Sequence, residues 1–144
     1  MGLDQYLYAK KYLGFWNKEA TSSIKLINKI HDFLEIPKLD PKKEPWELLD
    51  TFPRVQYLEL LVAQWRKDYW VEDFFEDKIE NKDNGGTYYI SKDILKELCD
   101  QAEKVLEESD SDWQRINAEC TIEMIAPLLA DRWADFDFFY SSNW

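Results

Sequence analysis

The sequence predicts an α+β fold: a single compact domain over residues 1–144, with four to five helices packed with a small sheet of two to three short strands. Three observations predict it. A tyrosine-rich alternation opens the chain, capped helical periodicities follow, and two short aromatic runs read as further strands. With 45% apolar and 16% aromatic residues, the chain has ample material for one core. A domain of 144 residues buries about two-thirds of the surface that its unfolded form exposes.

Within Leu3–Leu13, residues Leu3, Gln5, Leu7 and Ala9 alternate with Tyr6, Tyr8, Lys10 and Tyr12, the period of a strand. Gly14 to Lys18 turns the chain. Thr21, Ser22 or Ser23 then offers an N-cap to a helix carrying Ile24, Ile27, Ile30 and Leu34, which Pro37 ends. Residues 37–45 contain three prolines and read as a surface linker. Pro45 suits the first turn of a short helix with Trp46, Leu48 and Leu49.

From about Arg54 to Ile79 the spacing predicts one long helix that starts at Pro53. Leu58, Val62, Trp65, Tyr69, Glu72 and Glu76 fall on one stripe at 100° per residue, while Trp70 and Phe74 point away. The aromatics are expected to fill the interior. A glutamate on such a stripe needs a partner if it is buried, and His31 is one candidate, because Arg66 and Lys67 lie on other faces. The expectation favoured here is that the helix ends its burial early and leaves Glu72 and Glu76 wet.

Asn81–Gly86 is a turn in which Gly85 and Gly86 take positive φ readily. Thr87–Ile90 reads as a short strand. Ser91 caps a helix with Ile94, Leu95, Leu98, Ala102, Val105 and Leu106 inward. An acidic loop over Glu107–Asp112 leads into a helix from about Trp113 to Leu129, kinked or ended near Pro127. Phe136–Tyr140 is the last expected strand.

The net charge of −11 is unevenly placed: residues 1–45 carry eight Lys against six acids, and the remainder carries 10 basic against 23 acidic groups. That field repels phosphate backbones, so direct nucleic-acid binding is not expected, and it attracts basic surfaces. Two cysteines, Cys99 and Cys120, and one histidine leave too few ligands for a tetrahedral zinc site. Neither a signal peptide nor an apolar run of membrane-spanning length is recognisable, which predicts a cytoplasmic protein without a membrane partner. The acids at 108, 110, 112 and 119 echo a calcium loop, but Trp113 stands where the tight turn wants glycine. Asp135 and Asp137 lack a further ligand and a phosphate loop. No nucleophile elbow occurs, so no catalytic residue, metal or cofactor is expected.

Several segments, taken in order, resemble a family of small phage and prophage proteins to which no reaction is attached. Its members begin MGLDMYL, and this chain begins MGLDQYL over residues 1–7. Their helix with WRKAN-x-IH-x-WF is similar to Trp65–Phe75, and their CGEYYVS segment to Gly85–Ser91. A Phe-Phe-Phe-Gly-Ser segment is echoed by Phe138–Ser142. The chain departs from the pattern at Glu72, where the family has histidine, at Tyr69 (asparagine) and at Gly85 (cysteine). The resemblance implies a phage origin and the α+β arrangement.

These readings lead to an expected non-enzymatic, acidic phage accessory protein that binds and modulates a host protein in the host cytoplasm, such as a nucleic-acid-binding or defence protein. The partner surface is expected at Glu107, Glu108, Asp110 and Asp112. The rival expectation is a nucleotide-like ligand or enzyme site on the 65–72 helix. It uses Trp65, Glu72 and His31, with Arg66 and Lys67 as anion contacts and Tyr88 and Tyr89 as stacking surfaces. A structural virion component is the third.

Overall fold

A computed structural model describes residues 2–14 and 20–144. The expected turn over Gly14–Lys18 falls largely outside them. The element order is β1 (Asp4–Tyr12), α1 (Ala20–Phe33), α2 (Pro45–Leu48), β2 (Tyr57–Arg66), α3 (Tyr69–Lys78), β3 (Thr87–Ile90), α4 (Lys92–Glu108), α5 (Asp112–Ile125) and β4 (Asp137–Asn143). Short 3-10 turns over Ala126–Leu129 and Asp131–Trp133 join α5 to β4. The class is α+β. The sheet has four strands in the order β2-β1-β4-β3, against the two to three expected.

The additional strand is β2, where the sequence periodicity predicts a long helix over 54–79. Its inward residues are Leu58, Leu60 and Val62, and then Ala63 and Trp65. The alternation slips phase between Val62 and Ala63, as at a β-bulge. That slip spaces Leu58, Val62 and Trp65 by four and three, which imitates a helical stripe. Pairing decides the outcome, because β1 is a central strand and needs a second neighbour for its backbone groups. Lys67 N–H donates to Leu3 O at 2.8 Å and Leu13 N–H to Gln56 O at 2.9 Å, one bond at each end of an antiparallel pair. Pro53 accordingly precedes a strand rather than a helix.

The chain divides into two compact units, Met1–Lys10 with Glu59–Trp144, and Lys11–Leu58. In the first, β1 pairs antiparallel with β4 (Leu7 opposite Tyr140), and β3 pairs antiparallel with β4 (Tyr89 opposite Phe139). Leu7, Ala9, Ala63, Trp65, Ile90, Phe138 and Tyr140 cover one sheet face. Against them pack Val71 and Phe75 of α3, Leu95 and Leu98 of α4, and Ile125 of α5. The Phe75 ring stacks on Tyr140 with centroids 3.9 Å apart. Ser91 and Ser111 cap α4 and α5, each accepting an N–H three residues on. The α5 helix gives way to 3-10 geometry around Pro127, whose ring cannot sit in a helix interior.

The second unit has a smaller core of Leu13, Ile24, Ile27, Leu39 and Leu48. Pro37 lies beyond the stop of α1. Glu35, at φ 56°, forms the stop itself, with Ile36 N–H bonded to His31 O and Glu35 N–H to Asp32 O, the two bonds of a Schellman motif.

Candidate functional site

Glu72 is the first site residue to correct. It lies on the inward side of α3 and is 3% exposed, while Glu76 is in solvent. Its partners come from two later segments. Trp144 Nε1–H donates to Glu72 Oε1 at 3.0 Å, and Lys82 Nζ stands 3.8 Å from the same oxygen. Lys82 also donates to Ser142 Oγ at 2.9 Å. The 81–86 turn delivers this lysine: Gly85, at φ 80°, donates its N–H to Ser142 O, and a Cβ there would meet Asn143 Oδ1. Burial raises the Glu72 pKa, and Lys82 pulls it part of the way back. The Tyr140 phenol, pushed up by burial, donates to Gln5 Oε1 at 2.6 Å, and Gln5 Nε2–H donates to Asp68 O at 2.9 Å. Glu72 and Lys82 have side chains 4% and 5% exposed, so the pair is sealed, and the Lys82–Ser142 bond ties it to β4.

The Asp68 carboxyl is arranged differently. Asp68 occupies the N-cap of α3, yet its side chain makes no cap hydrogen bond. Its carboxylate turns instead to Asn117 of α5, whose Nδ2–H donates to Oδ1. Asp68 is 6% exposed, and burial raises its pKa from 3.8 to about 6, against the lowering effect of Asn117. Around it lies a cavity of about 320 Å³ lined by Lys67, Tyr69, Trp70, Trp113, Gln114 and Asn117. Trp70 Nε1 is buried without an acceptor among the described residues. An unused cap, a carboxyl destabilised by burial and an orphaned donor, close together in the chain, are what functional sites carry.

The cavity sits at the loop end of the α4–α5 hairpin. Glu107, Glu108, Asp110 and Asp112 are all exposed there. Asp112 pairs with Arg115 at 2.9 Å. Trp113 and Ile116, on the first turns of α5, are 60% and 56% exposed, and Tyr69 is 53% exposed beside the cavity. Exposed large apolar side chains beside exposed charges are the ingredients of a protein interface.

The other expected ligand residues do not gather at one site. Trp65 and Arg66 belong to β2 and Glu72 to α3, so no 65–72 helix exists. Trp65 is a core residue whose Nε1–H donates to Thr121 Oγ1 at 2.9 Å. Arg66 pairs with Asp4 on the opposite sheet face, at 3.1 Å. Of the expected ligand residues, Lys67 is the one that lines the Asp68 cavity. Tyr88 is on the inward face with its hydroxyl on Asp83 N–H, and Tyr89 points outward against Phe139. His31 is fully buried: Nε2 accepts Val55 N–H at 3.0 Å, so Nδ1 carries the proton and donates to Pro37 O at 2.9 Å. Its ring is committed to its own unit.

A second concavity, of about 610 Å³, lies on the outward sheet face between Tyr8, Lys10, Glu59, Leu61, Thr87 and Phe139. Among the described residues no group of three or more His, Cys, Asp or Glu is placed to hold a metal, and no helix is long and apolar enough to cross a membrane.

No family model matches this chain, and neither does any curated protein or solved structure.

Sequence reasoning passed over Asp68, Asn117, Trp113, Lys82 and Trp144 as site residues. The one local signal was an aspartate directly before Tyr69-Trp70, a cap type next to two aromatics.

Proposed function

We propose that this protein is a non-enzymatic binding protein of phage origin that docks on a basic surface of a host protein and modulates it, with a defence or nucleic-acid-handling protein as the partner class. One observation carries the reading: the loop end of the α4–α5 hairpin displays four exposed acids, and the adjoining first turns of α5 expose Trp113 and Ile116. Acids at a rim steer a basic partner and set its register, and the aromatic anchor supplies the buried area. The sealing of Glu72 and the dispersal of the other ligand candidates weigh against a catalytic centre on α3. The resemblance to small phage proteins agrees with such a role.

The experiment is capture from a bacterial lysate with the tagged protein at about 50 mM and about 200 mM salt, which changes the screening of exposed charges. The wild type is compared with a variant carrying Lys at 107, 108, 110 and 112, and with Trp113→Ala. A partner with a basic surface that the wild type retains, and that high salt and either variant release, supports the reading. Capture indifferent to salt and to both variants contradicts it.

A further inference from the structure

We infer that the Asp68 cavity is a guanidinium pocket, which receives an arginine side chain of the partner protein between the Asp68 carboxylate, the Asn117 amide and the indoles of Trp70 and Trp113. This rests on the docking reading above and adds the group that the partner must present.

Two side-chain oxygens at the cavity lack a protein donor. Asn117 spends its Nδ2–H on Asp68 Oδ1, which leaves Asp68 Oδ2 and Asn117 Oδ1 without a donor among the described residues. Neither oxygen is sealed off, so both are reachable from the cavity, where a positive group would offset the cost of burying the rest of the carboxyl. Burial has already driven its pKa up to about 6. The cavity's own cation does not answer this need. No ion pair joins Lys67 to Asp68 among the described residues, and the Lys67 stem runs against Gly2, where an added Cβ would meet its Cε at 2.8 Å.

The walls then select among cations. Tyr69, Trp70 and Trp113 offer ring surfaces, and an aromatic-lined recess beside a carboxylate holds a cation by both its charge and its faces. A guanidinium is planar, so it stacks on an indole while its edge N–H groups reach two acceptors together. An ammonium is more strongly hydrated and has no face to stack. The cavity, of about 320 Å³, has room for one such side chain and not for a folded peptide segment. The −11 charge of the chain, with the 107–112 acids at the same end of the hairpin, concentrates cationic groups there and opposes a phosphorylated ligand.

The test uses the isotope-labelled full chain and three defined probes: acetyl-Gly-Arg-Gly-amide and its lysine and citrulline counterparts. Citrulline keeps the shape of arginine and loses the charge. The arginine probe is expected to shift the Trp70 and Trp113 indole and Asn117 amide resonances saturably, with lysine about tenfold weaker and citrulline without saturable effect. Asp68→Asn keeps the size of the side chain and its Oδ1 acceptor for Asn117, so it should fold and should lose the arginine response. Lys67→Ala removes the one like charge in the lining and should tighten it.

An absent arginine response, an equal response to citrulline, or an unchanged response in Asp68→Asn overturns the pocket. A captured partner that still binds Asp68→Asn in a salt-dependent way, when the arginine probe fails, leaves the docking surface standing and removes the pocket alone. Loss of both removes the reading beneath it.

Discussion

Asp68 and Glu72 stand four residues apart on either side of the α3 start, and burial raises the pKa of both. Their fates differ because Glu72 has Lys82 and Trp144, while Asp68 has an amide and an open cavity. Folding moves Asp68 from 3.8 to about 6, so between those values the folded protein holds a proton that the unfolded chain has released. Stability therefore falls as the pH climbs through that window, by up to about 3 kcal/mol at 1.36 kcal/mol per unit. Asp68→Asn should flatten that part of the curve and gain on the wild type at neutral pH, as read by urea melts at several pH values. A variant with an unchanged slope would contradict this. At Glu72 the expected result is opposite in sense. Lys82→Met strips the buried carboxylate of its cation and should cost about 3 kcal/mol. Without that cation the Glu72 pKa rises further, so the loss should be larger at pH 8 than at pH 5. A surface pair would show a loss below about 1 kcal/mol.

At the scale of elements, α2, α4 and α5 and strands β1, β3 and β4 were legible because local signals agree with tertiary demand. Ser91 caps before a 3.6-residue stripe, Pro45 starts α2, and β1 alternates cleanly. β2 was not legible. Its phase slip at Val62–Ala63 disguised a period of two, and only β1, some fifty residues earlier, dictates the pairing. Backbone amide exchange and Cα secondary shifts should report extended geometry for Tyr57–Arg66 and helix only from Tyr69; helical shifts across 57–66 would refute the four-stranded sheet. The end of α1 supplies a second element-scale prediction. Glu35 holds a left-handed conformation that favours glycine. Glu35→Gly should therefore raise the unfolding free energy by up to about 1 kcal/mol, and a destabilised variant would show that the Schellman stop is not the governing feature.

For the whole molecule, the sequence announced the surplus charge and the acid run at 107–112, because exposure of a charge run follows from composition alone. It could not announce the Asp68 cavity. That site exists only because α5 returns to the start of α3 and sets Asn117 against Asp68, 49 residues apart in the chain. Nor could it show that Lys82 and Trp144 seal Glu72, since both lie in later segments. The acids at 107, 108, 110 and 112, the exposed Trp113 and Ile116 and the uncommitted carboxylate oxygen lie at one end of one helical hairpin. The most direct measurement of what that end does is the dissociation constant for a captured basic partner, taken at about 50 mM and about 200 mM salt, for the wild type and the variant with Lys at 107, 108, 110 and 112. The expected result is an affinity that weakens with salt in the wild type and falls at least about a hundredfold on charge reversal. Equal affinity in both proteins, insensitive to salt, would contradict it.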